Sequence, residues 1–574
     1  MVPPRSLPLL LCSLVACRSG AATVKDGEAD SGGADAGEGS GDGAADGADG
    51  ADDGGDPDGR AWPFSADELI EVEISLDPAD FEALRMEGRS IFEVLGGDCL
   101  DGPFESPYTE FAGTVWVNGE EHPGVGVRKK GFIGSVDVEK PGLRLDFDAF
   151  NDGGRLRGRE DITLNNTPQD ATMLRTCLAY QYFAAAGVPA SGCAFAHVVV
   201  NGEDLGLYAH VEPVDEALLE RVTGAEDAPL FEGTLSDLRP GWTNTYELDS
   251  EAADLSQLDA AVAALDAGDL DALAGIIDMD AFVRFWAAEV VLGHWDGYNW
   301  NRNNYYLYID PADGLLRFLP WGTDAVLSSP NPGGGRDWIA VNGALGLALA
   351  KDPSWRAAYE AELDRQLATV WDAAAVAAQA DAWADQVAEV YRAPGWARAD
   401  LDERIRGAAP TIAASRAREA GDYPAEAPGS LCIAPIGELS VEFTSTWGSW
   451  TDADWTRTGD CSLEMVYDGA PTTLSAGSGV SGDDGDPYAD LGCYWLLDGA
   501  QLLPYFATPL RSFGPGTVRT DNTTHYGMLY YAAPGGGWTS AGWLEGELVL
   551  DAAEARRGAP VNGRFTGTIW QAPW

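Results

Sequence analysis

HWDGYNWNRNNYYLYIDPADGLLRFLPWGTD, residues 294–324, carries the densest set of structural and chemical signals in the chain. Asp296 stands two residues after His294, and Asn301 follows it by five. Two apolar-aromatic runs, 305–309 and 315–320, flank the turn sequence DPADG, so they are expected to form an antiparallel hairpin. Asn304 sits at the start of the first run, and Asp324 lies just beyond the second. Phosphoryl transfer from a nucleotide needs this order of parts. One Asp accepts a hydroxyl proton, an Asn and a second Asp hold Mg²⁺, and a hairpin fixes the metal-binding pair against the first Asp. Such chemistry depends mainly on positioning and charge neutralisation.

Outward from this stretch the chain divides. Before it, residues 280–292 place Phe282, Phe285, Trp286 and Val290 on one helical stripe. After it, 353–420 is Ala-rich and helical, with a break at Pro394-Gly395. Residues 61–158 instead alternate like strands (LIEVEISL, GTVWVNG, LRLDFDAF). Asn118-Gly119 and Asn201-Gly202 mark hairpins because both residue types tolerate positive φ. One helix interrupts them, with Leu174, Cys177, Leu178, Tyr182 and Ala185 on one face and Gly187 at its end. The expectation is an α+β body, β-rich then helix-rich, with the chemistry where the halves meet. Residues 431–574 are rich in Trp, Tyr, Gly and Thr in short alternating runs, which predicts an all-β, sandwich-like domain.

Asp and Glu outnumber Lys and Arg 92 to 36, a net charge of −56, which argues against nucleic acid as a partner. Residues 1–17 carry Arg5, an apolar stretch too short to span a bilayer, and Leu14-Val15-Ala16-Cys17. That end resembles a bacterial lipoprotein signal, so Cys17 is expected to be the lipidated N-terminus of an exported cell-envelope protein, held to the membrane by acyl chains alone. Residues 18–60 read as a disordered acidic Gly/Ala/Asp tether. The remaining cysteines fall in two sets, Cys99, Cys177, Cys193 and Cys432, Cys461, Cys493, and a bridge within each is expected. No CxxC occurs, which disfavours structural zinc. GSGVSG at 477–482 matches a phosphate-loop pattern but runs into Asp483-Asp484 inside a β context, where carboxylates would repel a phosphate.

Several segments together carry a resemblance: VGVRKKG (125–131), KPGLRLDFD (140–148), LNNTPQDATMLRTCLAY (164–180), VVVNGEDLGLYAHVEPVD (198–215), HWDGY, NRNNYYLY and LPWGTD. They resemble the CotH kinase family over residues 69–324. The resemblance implies an atypical bilobal protein-kinase-like fold over 61–423, followed by the β domain at 430–574. It implies ATP and Mg²⁺ as cofactors and a protein substrate. Asp296 would be the catalytic Asp, and Asn301 or Asn304 would join Asp324 on the metal. Arg144, or Arg128 or Lys130 of the basic run, would meet the phosphates, and Glu212 could pair with one of these cations. Where many members read Trp-Asp-x-Asp, this chain has Trp321-Gly322-Thr323-Asp324, one carboxylate fewer. The expected function is therefore protein Ser/Thr phosphorylation. A catalytically weak, kinase-like surface lipoprotein that binds a partner is the alternative.

Overall fold

The computed structural model describes residues 62–97, 99–104, 106–328, 338–339, 341–418, 424–451, 458–483 and 485–572. Cys17 and the acidic tether lie outside the described residues.

Seven strands form the first unit: β1 (Leu69–Ser75), β2 (Glu110–Val117), β3 (Glu120–Lys130), β4 (Gly142–Asp146), β5 (Asp161–Asn165), β6 (Cys193–Val200) and β7 (Glu203–Val211). They close into a barrel in the order β1-β2-β3-β4-β5-β7-β6. All neighbours are antiparallel except β1 and β6, whose parallel pairing seals the ring. Alternation drives closure: Ile70, Val72 and Ile74 point into the core while Glu71 and Glu73 face water. The two Asn-Gly turns form as expected, with left-handed φ at Asn118 and Asn201. Their side chains also tie the turns to β1, accepting from Glu71 N and Leu76 N at 2.9 Å.

Helices build the second unit. Arg175–Ala186 ends at Gly187 with φ 84°, a left-handed position that costs a glycine nothing. Met279–Leu292 starts at Asp278, whose carboxylate accepts from Ala281 N, and carries the anticipated stripe. Trp286 on it stacks 3.7 Å from Tyr359 of helix Pro353–Thr369. The helical region after 353 breaks as the sequence indicates, with Gly395–Arg418 a separate helix. Against the helices lies a sheet of β8 (Leu230–Gly233), β9 (Tyr246–Leu248), β10 (Tyr305–Ile309) and β11 (Leu316–Pro320), ordered β11-β10-β8-β9. β10 and β11 are the predicted hairpin, in register from Tyr305↔Pro320 to Ile309↔Leu316.

The C-terminal domain is all-β, but it is a closed barrel rather than two packed sheets. Among the described residues, nine strands run from Pro435–Thr446 to Pro560–Trp570, and Thr539–Ala552 pairs with Pro560–Trp570 to close the ring. Every pairing is antiparallel, and Gly516–Thr520 joins only Thr539–Ala552, so one continuous wall forms around Val441, Phe443, Leu491, Phe506, Leu548 and Phe565. GSGVSG lies within the strand Ala470–Gly482, as its context indicated.

Disulfides Cys177–Cys193 and Cys461–Cys493 each staple one cysteine set, and the third, Cys99–Cys432, joins the sets across 333 residues of sequence. The C-terminal barrel is thereby fastened to the segment between β1 and β2. There the helix Ile91–Leu95 packs Ile91, Phe92, Val94 and Leu95 against Met528, Trp543 and Trp570.

Candidate functional site: a polar cleft between barrel and helices

A cavity of about 580 Å³ separates the first barrel from the helical unit, a volume suited to a nucleotide-sized ligand. Its upper wall is the outer face of β3 and β4. Period-two alternation sends Val125, Val127 and Lys129 inward and Arg128 and Lys130 outward. Lys129 is buried, and its ammonium donates to the carbonyls of Arg85 (2.5 Å) and Glu87 (2.6 Å). Lys130 donates to Asn165 Oδ1 (2.5 Å) and lies 5.1 Å from the Trp321 ring centroid. Burial pulls its ammonium down to about 8, against the opposing pull of Glu232. Arg144 stands opposite Arg128 in the β3–β4 register and pairs with Asp161 at 2.7 Å.

The lower wall is the loop before β10 and the turn after β11. Asp296, 8% exposed, is gripped by three side-chain amides. Asn301 and Asn303 donate to Oδ1 at 2.6 and 3.3 Å, and Asn304 donates to Oδ2 at 2.8 Å. Burial raises its carboxyl above the usual range, while the three amides act to lower it. Asp324 follows Gly322, in the turn Thr323–Ala325 that helix Arg175–Ala186 packs against. Burial pushes Asp324 up to about 7, helped by the charges of Asp296 and Asp170. Asp170 is held by Arg175 N (2.8 Å) and the Arg175 guanidinium (2.9 Å), which also reaches Asp400 on the last helix.

Gly322 has a structural reason to be glycine. Its φ is +51°, and a Cβ there would run into the Asn304 side chain, whose Nδ2 donates to Gly322 O at 3.2 Å. The missing carboxylate thus makes room for an amide that orients Asp296.

The structure brings Asp296, Asn304, Asp324, Arg128, Lys130 and Arg144 to one cavity. Asn301 supports Asp296 from behind, lining a separate small cavity with Arg302. Glu212 is not brought there: it pairs with Arg221, lies 4.0 Å from Arg159, and accepts from Gly192 N at 2.8 Å. The carboxylate acting on Lys130 from the far wall is instead Glu232 of β8, itself pushed up to about 7 by burial and then by Glu247. Sequence reasoning missed Glu232, Asn303 and Glu289. Glu289, 3% exposed on the otherwise apolar buried face of helix Met279–Leu292, accepts from Tyr298 N (2.9 Å), Asn299 N (3.2 Å) and Asn299 Nδ2 (2.8 Å), shaping the loop that carries Asp296. A lone acid on an apolar stripe was the signal that could have found it.

Among the described residues, no group of three or more His, Cys, Asp or Glu side chains forms a metal cage. Two neighbouring carboxylates with an amide nonetheless fit Mg²⁺, which keeps waters and takes its other ligands from phosphates. A carboxylate–amide floor thus lies under a cationic barrel face, in an α+β body. Residues 127–412 match the family model described as CotH kinase protein, and through this domain the chain belongs to the CotH family. It is also 24% identical over 236 residues to the inner spore coat protein H of Bacillus subtilis (strain 168). That match covers 38% of this chain and 64% of the relative's length.

Proposed function

We propose that the protein is an atypical protein kinase that uses Mg²⁺ and ATP to phosphorylate Ser or Thr hydroxyls of a protein. The observation that carries this reading is the shared cavity, with Asp296, Asn304 and Asp324 on one wall and Arg128, Lys130 and Arg144 on the other. Asp324 and Asn304 would hold Mg²⁺, which would neutralise the triphosphate and offset the charge of a strongly acidic protein. Lys130 and Arg128 would position the phosphates, and Asp296 would accept the substrate hydroxyl's proton. The three amides aim the Asp296 carboxylate and favour its charged form, opposing the burial that raises it. We further propose an exported lipoprotein anchored through Cys17. Cys17→Ser protein should leave the membrane fraction, and an unchanged fraction without acyl mass overturns the anchor.

The same amides favour a second reading, a kinase-like binding protein, because they occupy both oxygens of the base. Calorimetry and phosphotransfer assays separate the two. Catalysis predicts that Asp296→Asn keeps ATP binding while transfer falls by about 10²–10⁴, and that Asp324→Ala abolishes the Mg²⁺-dependent part of binding. Mg²⁺-ATP binding without transfer to any protein of a lysate supports the second reading. No ATP binding, with or without Mg²⁺, overturns both.

A further inference from the structure

Arg89 lies outside the segment that matches the CotH domain, yet it lines the cleft. It is 9% exposed, its guanidinium sits 5.1 Å from the Phe132 ring centroid, and its Nε has no hydrogen-bond partner. Arg128, beside it in the cavity wall, has an unpartnered Nε as well. The other cations of that wall are engaged: Lys130 on Asn165, Arg144 on Asp161, Lys129 on two carbonyls. Arg89 and Arg128 make no hydrogen bond or ion pair among the described residues, though Tyr108, Glu247, Glu232 and Glu93 act on Arg89 at longer range and Glu247 on Arg128. Each guanidinium has a buried Nε without a partner, which is costly, and lines the cavity, where an oxyanion delivered by a ligand would offset that cost.

The C-terminal barrel holds Arg89 in place. Thr523 Oγ1 donates to the Arg89 carbonyl at 2.8 Å, and Ile91 N donates to Asp521 O at 2.9 Å. The Asp521 carboxylate stiffens this loop by accepting from the backbone of Thr523, Thr524 and His525. At the other end of the short helix, Ile433 N donates to Leu95 O (2.6 Å) and Gly97 N to Ile433 O (3.2 Å), next to Cys99–Cys432. The segment bearing Arg89 is therefore pinned at both ends by the accessory domain. The same apolar cluster runs from Met528 and Trp543 on that domain to Ile133 and Leu235 on the cavity wall.

We infer that Arg89, with Arg128, is an oxyanion ligand of the cleft, taking a phosphate of the bound nucleotide, and that the C-terminal barrel completes the pocket by positioning it. This rests on the nucleotide reading of the site. An acidic side chain of a protein substrate offers the same chemistry, so the test separates the sources.

Wild-type, Arg89→Gln, Arg89→Lys and Thr523→Val full-length proteins are titrated with Mg²⁺-ATP, inorganic tripolyphosphate, adenosine and a poly-glutamate peptide. Thermal melts confirm a single cooperative transition in each. Arg89→Gln should weaken ATP and tripolyphosphate by about ten- to a hundredfold and leave adenosine unchanged. Arg89→Lys should lose less, and Thr523→Val should lose a smaller amount in the same direction. A loss confined to poly-glutamate keeps the oxyanion site but assigns it to the protein substrate. Unchanged affinity for all anions in a folded Arg89→Gln protein overturns the inference. Wild type that binds tripolyphosphate but not ATP overturns the nucleotide reading and leaves the oxyanion site standing. Wild type that binds none of them overturns both.

Discussion

The protein has two closed barrels, and they put their outer walls to opposite uses. Both fill their interiors with aliphatic and aromatic side chains. The first turns Arg128, Lys130 and Arg144 outward onto a polar cleft. The second turns Met528, Trp543 and Trp570 outward onto a neighbouring helix, forming a dry joint. A closed ring leaves no strand edge to cover, so its outer face is free to take a ligand or a protein neighbour. The side-chain type at every second residue decides which.

This contrast can be broken at the joint first. Trp543 is 1% exposed, so Trp543→Ala should cost about 3–5 kcal/mol in urea unfolding. A loss under 1 kcal/mol would mean that the two units do not pack in solution as described. The tether comes next. Replacing both Cys99 and Cys432 by Ser releases a 333-residue loop and should cost about 2–5 kcal/mol under oxidising conditions. Undiminished stability, with both thiols protected from alkylation in the wild type, would show that docking alone holds the barrel.

Neighbouring lysines sharpen the contrast within one strand. Lys129→Met strips one buried and one partly buried carbonyl of their donor and should cost about 1–3 kcal/mol, with little direct effect on nucleotide affinity. Lys130→Met should leave the melting point nearly unchanged and weaken Mg²⁺-ATP binding. Equal effects of the two on stability and on binding would erase the distinction between inward and outward faces.

A further expected effect is a pH dependence. The Asp324 carboxyl is raised in the folded protein from its ordinary 3.8 to about 7, so the folded state holds that proton more tightly than the unfolded one. The stability this contributes is full below about pH 4 and is lost as pH rises through about 7. Metal-free protein should therefore lose this contribution between about pH 4 and about pH 7, and Asp324→Asn should flatten that part of the curve while removing Mg²⁺-dependent binding. An identical pH profile in the Asn variant would refute the assignment. Gly322→Asp, which would restore the family's second acid, should weaken metal-dependent binding because it displaces Asn304.

Local pattern settled much of this molecule. The hairpin of β10 and β11, the two Asn-Gly turns, the helix ended by Gly187 and the stripe before His294 each follow from a few consecutive residues, because turn chemistry and periodicity act over short distances. Asp296 and Asp324 were legible for the same reason, lying within one loop–hairpin–turn segment, whereas the choice between Asn301 and Asn304 was left to the fold, which puts Asn304 on the cavity. Partnerships across the chain were not. Whether Glu212 or Glu232 faces Lys130 depends on how two units close around a cavity, and whether 431–574 folds as a sandwich or a ring depends on one pairing between its last two strands. Cys99 met Cys432, and Arg89 met the cleft, because the C-terminal barrel docks beside the short helix. Short-range pattern was enough to specify the elements and the acids of the lower wall. Tertiary packing alone decided which charges oppose them, since that depends on the burial and distance between residues far apart in the chain.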